Sequence, residues 1–185
     1  FRARGFDAWS CDLQPADDAS PYHLQMPVQQ AVTLRPWVFG VFHPTCTYLC
    51  SSGLHWNKRV PGRAALTEQA VDEFRWLLEL PFPKAVENPR GCISTRIRRP
   101  DQEIQPWQFG DDASKLTCLW LTHGTPPVPI DPSLRVAGRI VNGKERWANQ
   151  TDSGQNRLAP SADRWKQRSR TYPGFARAWA QAWGD

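Results

Sequence analysis

With 185 residues, 40% apolar and 22% charged, the chain has the composition of a globular protein with one core of ordinary size, and its length favours a single domain. No stretch approaches the ~20 apolar residues of a membrane span, and the first residues lack the basic, apolar and small-residue succession of a signal peptide. Membrane and secreted classes are therefore not expected, and the five scattered cysteines, an odd number (Cys11, Cys46, Cys50, Cys92, Cys118), argue for a reducing, intracellular setting over a disulfide framework. The net charge of +5 is uneven: residues 1–134 hold 13 Lys/Arg against 14 Asp/Glu, whereas residues 135–185 hold 10 against 4.

In chain order, Ala8-Trp9-Ser10-Cys11 reads as a short buried strand ending at Asp12, followed by a turn-rich stretch from Pro15 to Pro21. Val38-Phe39-Gly40-Val41-Phe42 is a second strand, continuous in apolar character as parallel strands tend to be. Leu66, Ala70, Val71, Phe74, Leu77 and Leu78 then recur at helical spacing until Pro81 stops the helix. Lys84-Ala85-Val86 supplies the next strand, completing a strand-helix-strand crossover, and Leu116 to Leu121 a further one. This alternation predicts an α/β fold with a mainly parallel sheet, whose ligand crevice lies beyond the carboxyl ends of the strands. From Thr122 to Leu158 the chain is rich in Pro, Gly and Asn and reads as long loops. Phe175, Trp179 and Trp183 recur at i, i+4 and i+8 in a final helix opened by Thr171 and Pro173. The expected organisation is one domain, with an α/β core over 1–121, a loop-rich basic segment over 122–170 and a C-terminal helix over 171–185.

Two segments at the ends of apolar runs carry chemistry: Phe42-His43-Pro44-Thr45-Cys46-Thr47 and Ala85-Val86-Glu87-Asn88-Pro89. A cysteine thiolate is soft and partly populated near neutral pH, which suits it to add to carbon 6 of a pyrimidine. A carboxylic acid at the N3 edge helps by donating a proton as charge builds there. Cys46 and Glu87 fit these roles, with Asn88 holding the loop and Arg96 and Arg98 as cationic assistants. In the C-terminal half, Asp163-Arg164-Trp165-Lys166-Gln167-Arg168-Ser169-Arg170-Thr171-Tyr172 interleaves cations with rings. That pattern suits phosphates and stacked bases, making Arg164, Trp165, Lys166, Arg168 and Arg170 candidate nucleic-acid contacts; the alternative is a solvated basic surface. Trp107 is a second candidate stacking residue. His43, Cys46, Cys50 and His55 also form a loosely spaced set of zinc-type ligands, but no metal site is expected from it.

Pro44-Thr45-Cys46, Glu87-Asn88-Pro89 and Ser94-Thr95-Arg96-Ile97-Arg98 resemble the Pro-Cys, Glu-Asn-Val and Gln-x-Arg-x-Arg motifs of the cytosine-carbon-5 DNA methyltransferases. Ile104 to Gly110, and Arg164 to Lys166 through Tyr172-Pro173-Gly174, are similar more closely to small phage-type members without a target-recognition domain. The resemblance implies a Rossmann-like S-adenosylmethionine-dependent fold, with Asp12, Leu13, Pro44 and Gly174 at the cofactor. It also implies DNA or a pyrimidine nucleotide as substrate, base flipping if the DNA is duplex, and the cytoplasm of a bacterium or phage-infected cell. That family places its first strand and a Gly-rich cofactor loop ahead of a helix ending much like Phe1-Arg2-Ala3-Arg4-Gly5, so an N-terminally truncated domain is expected. Two other readings stay open: a catalytically silent nucleic-acid-binding homologue, and a related carbon-5 modification of a pyrimidine.

Overall fold

The computed structural model describes residues 1–184; Asp185 and the Trp165 side chain lie outside that description. In chain order it forms β1 (Ser10–Asp12), β2 (His23–Gln25), α1 (Val28–Ala31), β3 (Gly40–Phe42), α2 (Ser51–Leu54), α3 (Arg63–Glu79), β4 (Lys84–Asn88), α4 (Ile93–Arg96), β5 (Gln102–Ile104), β6 (Thr117–Thr122), β7 (Arg139–Val141), β8 (Lys144–Arg146), α5 (Arg164–Ser169) and α6 (Pro173–Ala182), with short 3-10 turns between some of them. The main sheet has the order β3-β4-β6-β5, while β1-β2 and β7-β8 are separate two-stranded sheets.

The β3-α3-β4 crossover joins two parallel strands, Gly40 opposite Lys84 and Phe42 opposite Val86. β6, however, runs antiparallel to both β4 and β5, so the sheet is mixed and the mainly parallel expectation is corrected. A strand buried along most of its length shows the same apolar run in either direction, so Leu116 to Leu121 carried no signal for its polarity.

Side chains alternate across the main sheet as strand geometry requires. Val86, Cys118 and Trp120 face a core with Val71, Phe74 and Leu77 of α3, and Phe42 packs against it. Ala85 and Leu119 face the other core with Phe175 and Trp179 of α6, together with Trp183, and Val41 packs there. Two helices thus sandwich the sheet, and the parity of each strand residue decides which layer it enters.

Thr67, Ala70, Val71, Phe74 and Leu77 form the buried stripe of α3, which ends where Lys84 reaches back. The Lys84 side chain is fully buried; its Nζ donates to the Leu80 carbonyl at 2.6 Å and to Thr122 Oγ1 at 2.8 Å. Burial pushes its pKa down to about 8.

The β1-β2 sheet is parallel, with Ser10 opposite His23 and Asp12 opposite Gln25. All three β1 residues are exposed, which corrects the buried strand expected there and is unusual for parallel pairing. Within the expected loops the chain also makes the β7-β8 hairpin. Asn142 (φ 49°) and Gly143 (φ 74°) form its turn, and two successive positive φ angles are what such a two-residue hairpin needs.

Candidate functional site

Because β3 and β4 run parallel in register, the residues after Phe42 continue alongside those after Val86. Parity turns Glu87 to the α6 side. There His43 Nδ1 lies 3.1 Å from Glu87 Oε2, and the imidazole packs on the Trp179 indole with ring centroids 5.8 Å apart. The Glu87 side chain is 12% exposed, that of His43 44%. Asn88 turns to the opposite face, is 1% exposed, and donates its Nδ2 to the Pro44 carbonyl at 3.0 Å. Its Oδ1 is buried without a hydrogen-bond partner, a state that costs about 1–3 kcal/mol unless a donor reaches it.

The loop carrying Cys46 is fixed at both ends. Asn88 holds Pro44, and Arg63, at the start of α3, donates NH2 to the Thr47 carbonyl at 2.8 Å while lying over the Tyr48 ring. Behind the cysteine, Leu49 and Cys50 both donate their N–H groups to the Cys46 carbonyl, closing a tight turn. The chain then pairs with the segment following Glu87: Cys92 N donates to Leu49 O at 2.9 Å, Ser51 N to Arg90 O at 3.2 Å, and Cys50 bridges Gly91. Gly91 permits this approach, since a Cβ there would run into the Leu49 carbonyl. The two segments singled out in the sequence are thereby joined directly, and Thr45 and Cys46 stand exposed at the tip.

Although Cys46 is exposed as a residue, partial desolvation by the packed loop raises its thiol pKa, and the nearby Cys50 and Glu87 raise it further. Lys115 opposes them. The sheet explains its presence: β6 is antiparallel to β4, with Cys118 opposite Asn88, so the residues just before β6 lie at the carboxyl end of β4, as Cys46 does. Gly91 and Lys115 were not singled out from the sequence, and His43 only as one of the zinc-type ligands, although register alone places it beside Glu87 once β3 and β4 are paired.

Arg96 and Arg98 are each engaged by a carboxylate outside the Cys46–Glu87 pair. Arg96 makes a two-pronged ion pair with Glu68 of α3. Arg98 binds Asp101 at 2.8 Å and the Leu121 carbonyl at 3.0 Å, and Leu121 pairs with Ala85, toward the end of the sheet opposite Cys46. Trp107 stacks on Trp147 at 5.2 Å and carries Arg135 over its ring, so it serves packing. Among the described residues no group of three His, Cys, Asp or Glu side chains is placed to hold a metal.

The four residues that the resemblance implies at the cofactor differ in burial, from exposed Asp12 and Leu13 to buried Gly174. Asp12 lies at the exposed end of β1, where Oδ1 accepts the Gln14 N–H at 2.8 Å, and Leu13 is 64% exposed. The Pro44 carbonyl is taken by Asn88, and buried Gly174 donates its N–H to Asp111 at 2.8 Å with no space for a Cβ beside Phe109. Two of the four are committed to internal packing. No hydrogen bond among the described residues ties Asp12 or Leu13 to Pro44 or Gly174.

The basic segment forms α5 and one side of an open groove of about 740 Å³, lined by Asn149, Arg157, Lys166, Arg170 and Tyr172 among others. Arg168 is exposed, Arg164 is half-buried with its Nε unpartnered, and the candidate Trp165 side chain falls outside the described atoms. No helix among the described residues is long and apolar enough to cross a membrane. Compared with models of known families, with curated proteins and with solved structures, the chain has no significant match.

Proposed function

We propose that this chain is a cytosine-carbon-5 DNA methyltransferase-like protein whose Cys46 forms a reversible adduct with a pyrimidine. The observation that carries the reading is the direct coupling of the Cys46 loop to the Glu87 segment at the carboxyl ends of two parallel strands. The Cys46 thiolate adds to carbon 6, the electrons of the 5,6 double bond move toward N3, and Glu87 supplies a proton there. Carbon 5 becomes enamine-like and takes an electrophile or a proton; loss of the carbon-5 hydrogen and expulsion of the thiolate restore the ring. S-adenosylmethionine is the methyl donor that the resemblance implies.

Exchange at carbon 5 needs no methyl donor. An oligonucleotide containing cytosine tritiated at carbon 5 should therefore release tritium to water with the protein and not with Cys46→Ser. Binding of the oligonucleotide without release would favour a second reading, a catalytically silent nucleic-acid-binding homologue. The observation in that reading's favour is that the Pro44 carbonyl and the Gly174 N–H, both implied at the cofactor, are already bound to Asn88 and Asp111.

A further inference from the structure

Two cations that line the groove beside α5 make a contact that the Cys46 chemistry does not use. Lys166 of α5 and Arg170, the residue just after its end, converge on one carboxylate: Lys166 Nζ is 2.5 Å from Asp17 Oδ1, and Arg170 Nη2 is 3.7 Å from Asp17 Oδ2. Asp17 comes from the turn-rich stretch between β1 and β2, far away in sequence. All three side chains are about half exposed or more, so the contact is open to competition from solvent and from other anions. Arg157 adds a third cation to the groove against one lining carboxylate, Asp163, while Asn149, Asn156 and Gln167 add hydrogen-bonding amides and Tyr172 a half-buried ring.

The groove is also tied to the Cys46 site. Asn149 binds Ser114 in both directions, Oδ1 accepting the Ser114 N–H and Nδ2 donating to its carbonyl, each at 2.9 Å, and Nδ2 also reaches the Tyr172 hydroxyl. The next residue along is Lys115, at the carboxyl end of β4.

We propose that this groove is a phosphate track for a single-stranded polynucleotide leading toward Cys46, and that Asp17 closes it as an internal mimic of a phosphate. Two cations already gathered around one carboxylate supply the positive charge that a phosphodiester requires, and Arg157 offers a second anion-binding position, which a strand fills and a mononucleotide does not. Binding then requires the Asp17 carboxylate to be displaced. This inference rests on the nucleic-acid side of the function proposed above, but it is read by binding without turnover.

The test is fluorescence anisotropy of the full chain with a labelled single-stranded deoxyoligonucleotide of about 12 nucleotides, a length within the usual footprint of such grooves. Asp17→Asn is expected to tighten binding about two- to fivefold, the worth of an exposed ion pair. Lys166→Gln combined with Arg170→Gln is expected to weaken it about tenfold or more and to flatten its salt dependence, with Arg157→Gln as an independent second variant. Unchanged or weaker binding by Asp17→Asn overturns the latch. Affinity that is indifferent to all the cation variants, tighter binding of the matching duplex, or equal competition by deoxycytidine monophosphate overturns the track. Normal binding without tritium release counts against the adduct chemistry and leaves this proposal standing.

Discussion

Two parallel strand pairs in this protein have opposite fates. β3 and β4 lie between two helical layers, so parity and register fix Glu87, Asn88 and His43 to within hydrogen-bond distances. β1 and β2 pair equally well through the backbone and Ser10 Oγ lies 2.8 Å from His23 Nδ1, yet every β1 residue is exposed and Asp12 Oδ1 accepts the Gln14 N–H of its own turn. Backbone pairing aligns a strand; burial on both faces is what positions its side chains for chemistry.

The sharpest contrast is between cysteines. Cys46→Ser should lower carbon-5 tritium release by about 10³-fold or more, as loss of a nucleophile does, whereas Cys11→Ser on β1 should leave it unchanged. Thermal or chemical unfolding should show the same division. Trp120→Ala removes a fully buried ring that packs edge-on against Phe74, and should cost about 3–5 kcal/mol. Leu13→Ala, just after β1, should stay within about 0.5 kcal/mol.

Lys84 gives the buried sheet a pH signature. Its pKa falls from the ordinary 10.5 to about 8 in the folded chain. Between those values the unfolded chain holds a proton that the folded chain has shed, so this residue's contribution to stability grows as pH rises through the window. The full change is about 3 kcal/mol. The buried Cys118 thiol, raised from 9.0 to about 11, acts in the opposite sense over an overlapping range, so the comparison must be with Lys84→Met, in which the Lys84 component disappears. A wild type and variant with parallel stability-pH curves from pH 8 to 10.5 would refute the assignment.

Smaller effects test how the two site segments are joined. Gly91→Ala places a Cβ against the Leu49 carbonyl and should cost about 1–3 kcal/mol, with a matching loss of tritium release. Lys115→Gln should slow alkylation of Cys46 a few-fold at pH 8 by pushing the thiol pKa further up, and Lys115→Glu more so; Lys115→Arg should restore it. Equal rates across the three would remove Lys115 from the site.

Much of this architecture was legible in the sequence. The helical spacing of Ala70, Val71, Phe74 and Leu77, and the opening of the last helix at Pro173, match α3 and α6 closely, because stripe and stop signals are local. The direction of β6 was not legible, since most of its residues are buried and it shows no alternation. The β7-β8 strands were hidden by the polarity of Lys144-Glu145-Arg146, although Asn142-Gly143 carried the turn signal. Cys46 and Glu87 were visible as residue types at strand ends. What joins them, Gly91 packed under Leu49 and Lys115 arriving from an antiparallel strand, depends on pairings between segments distant in sequence.

The central claim is that Cys46 and Glu87 form one site that adds a thiolate to a pyrimidine ring. Its most direct measurement is intact and peptide mass spectrometry after incubation with an oligonucleotide containing 5-azacytosine, whose ring is more electrophilic at carbon 6. The expected result is a one-to-one covalent adduct mapped to Cys46, absent in Cys46→Ser and strongly reduced in Glu87→Gln. An adduct on another cysteine, or none from a folded protein that binds the oligonucleotide, would contradict it.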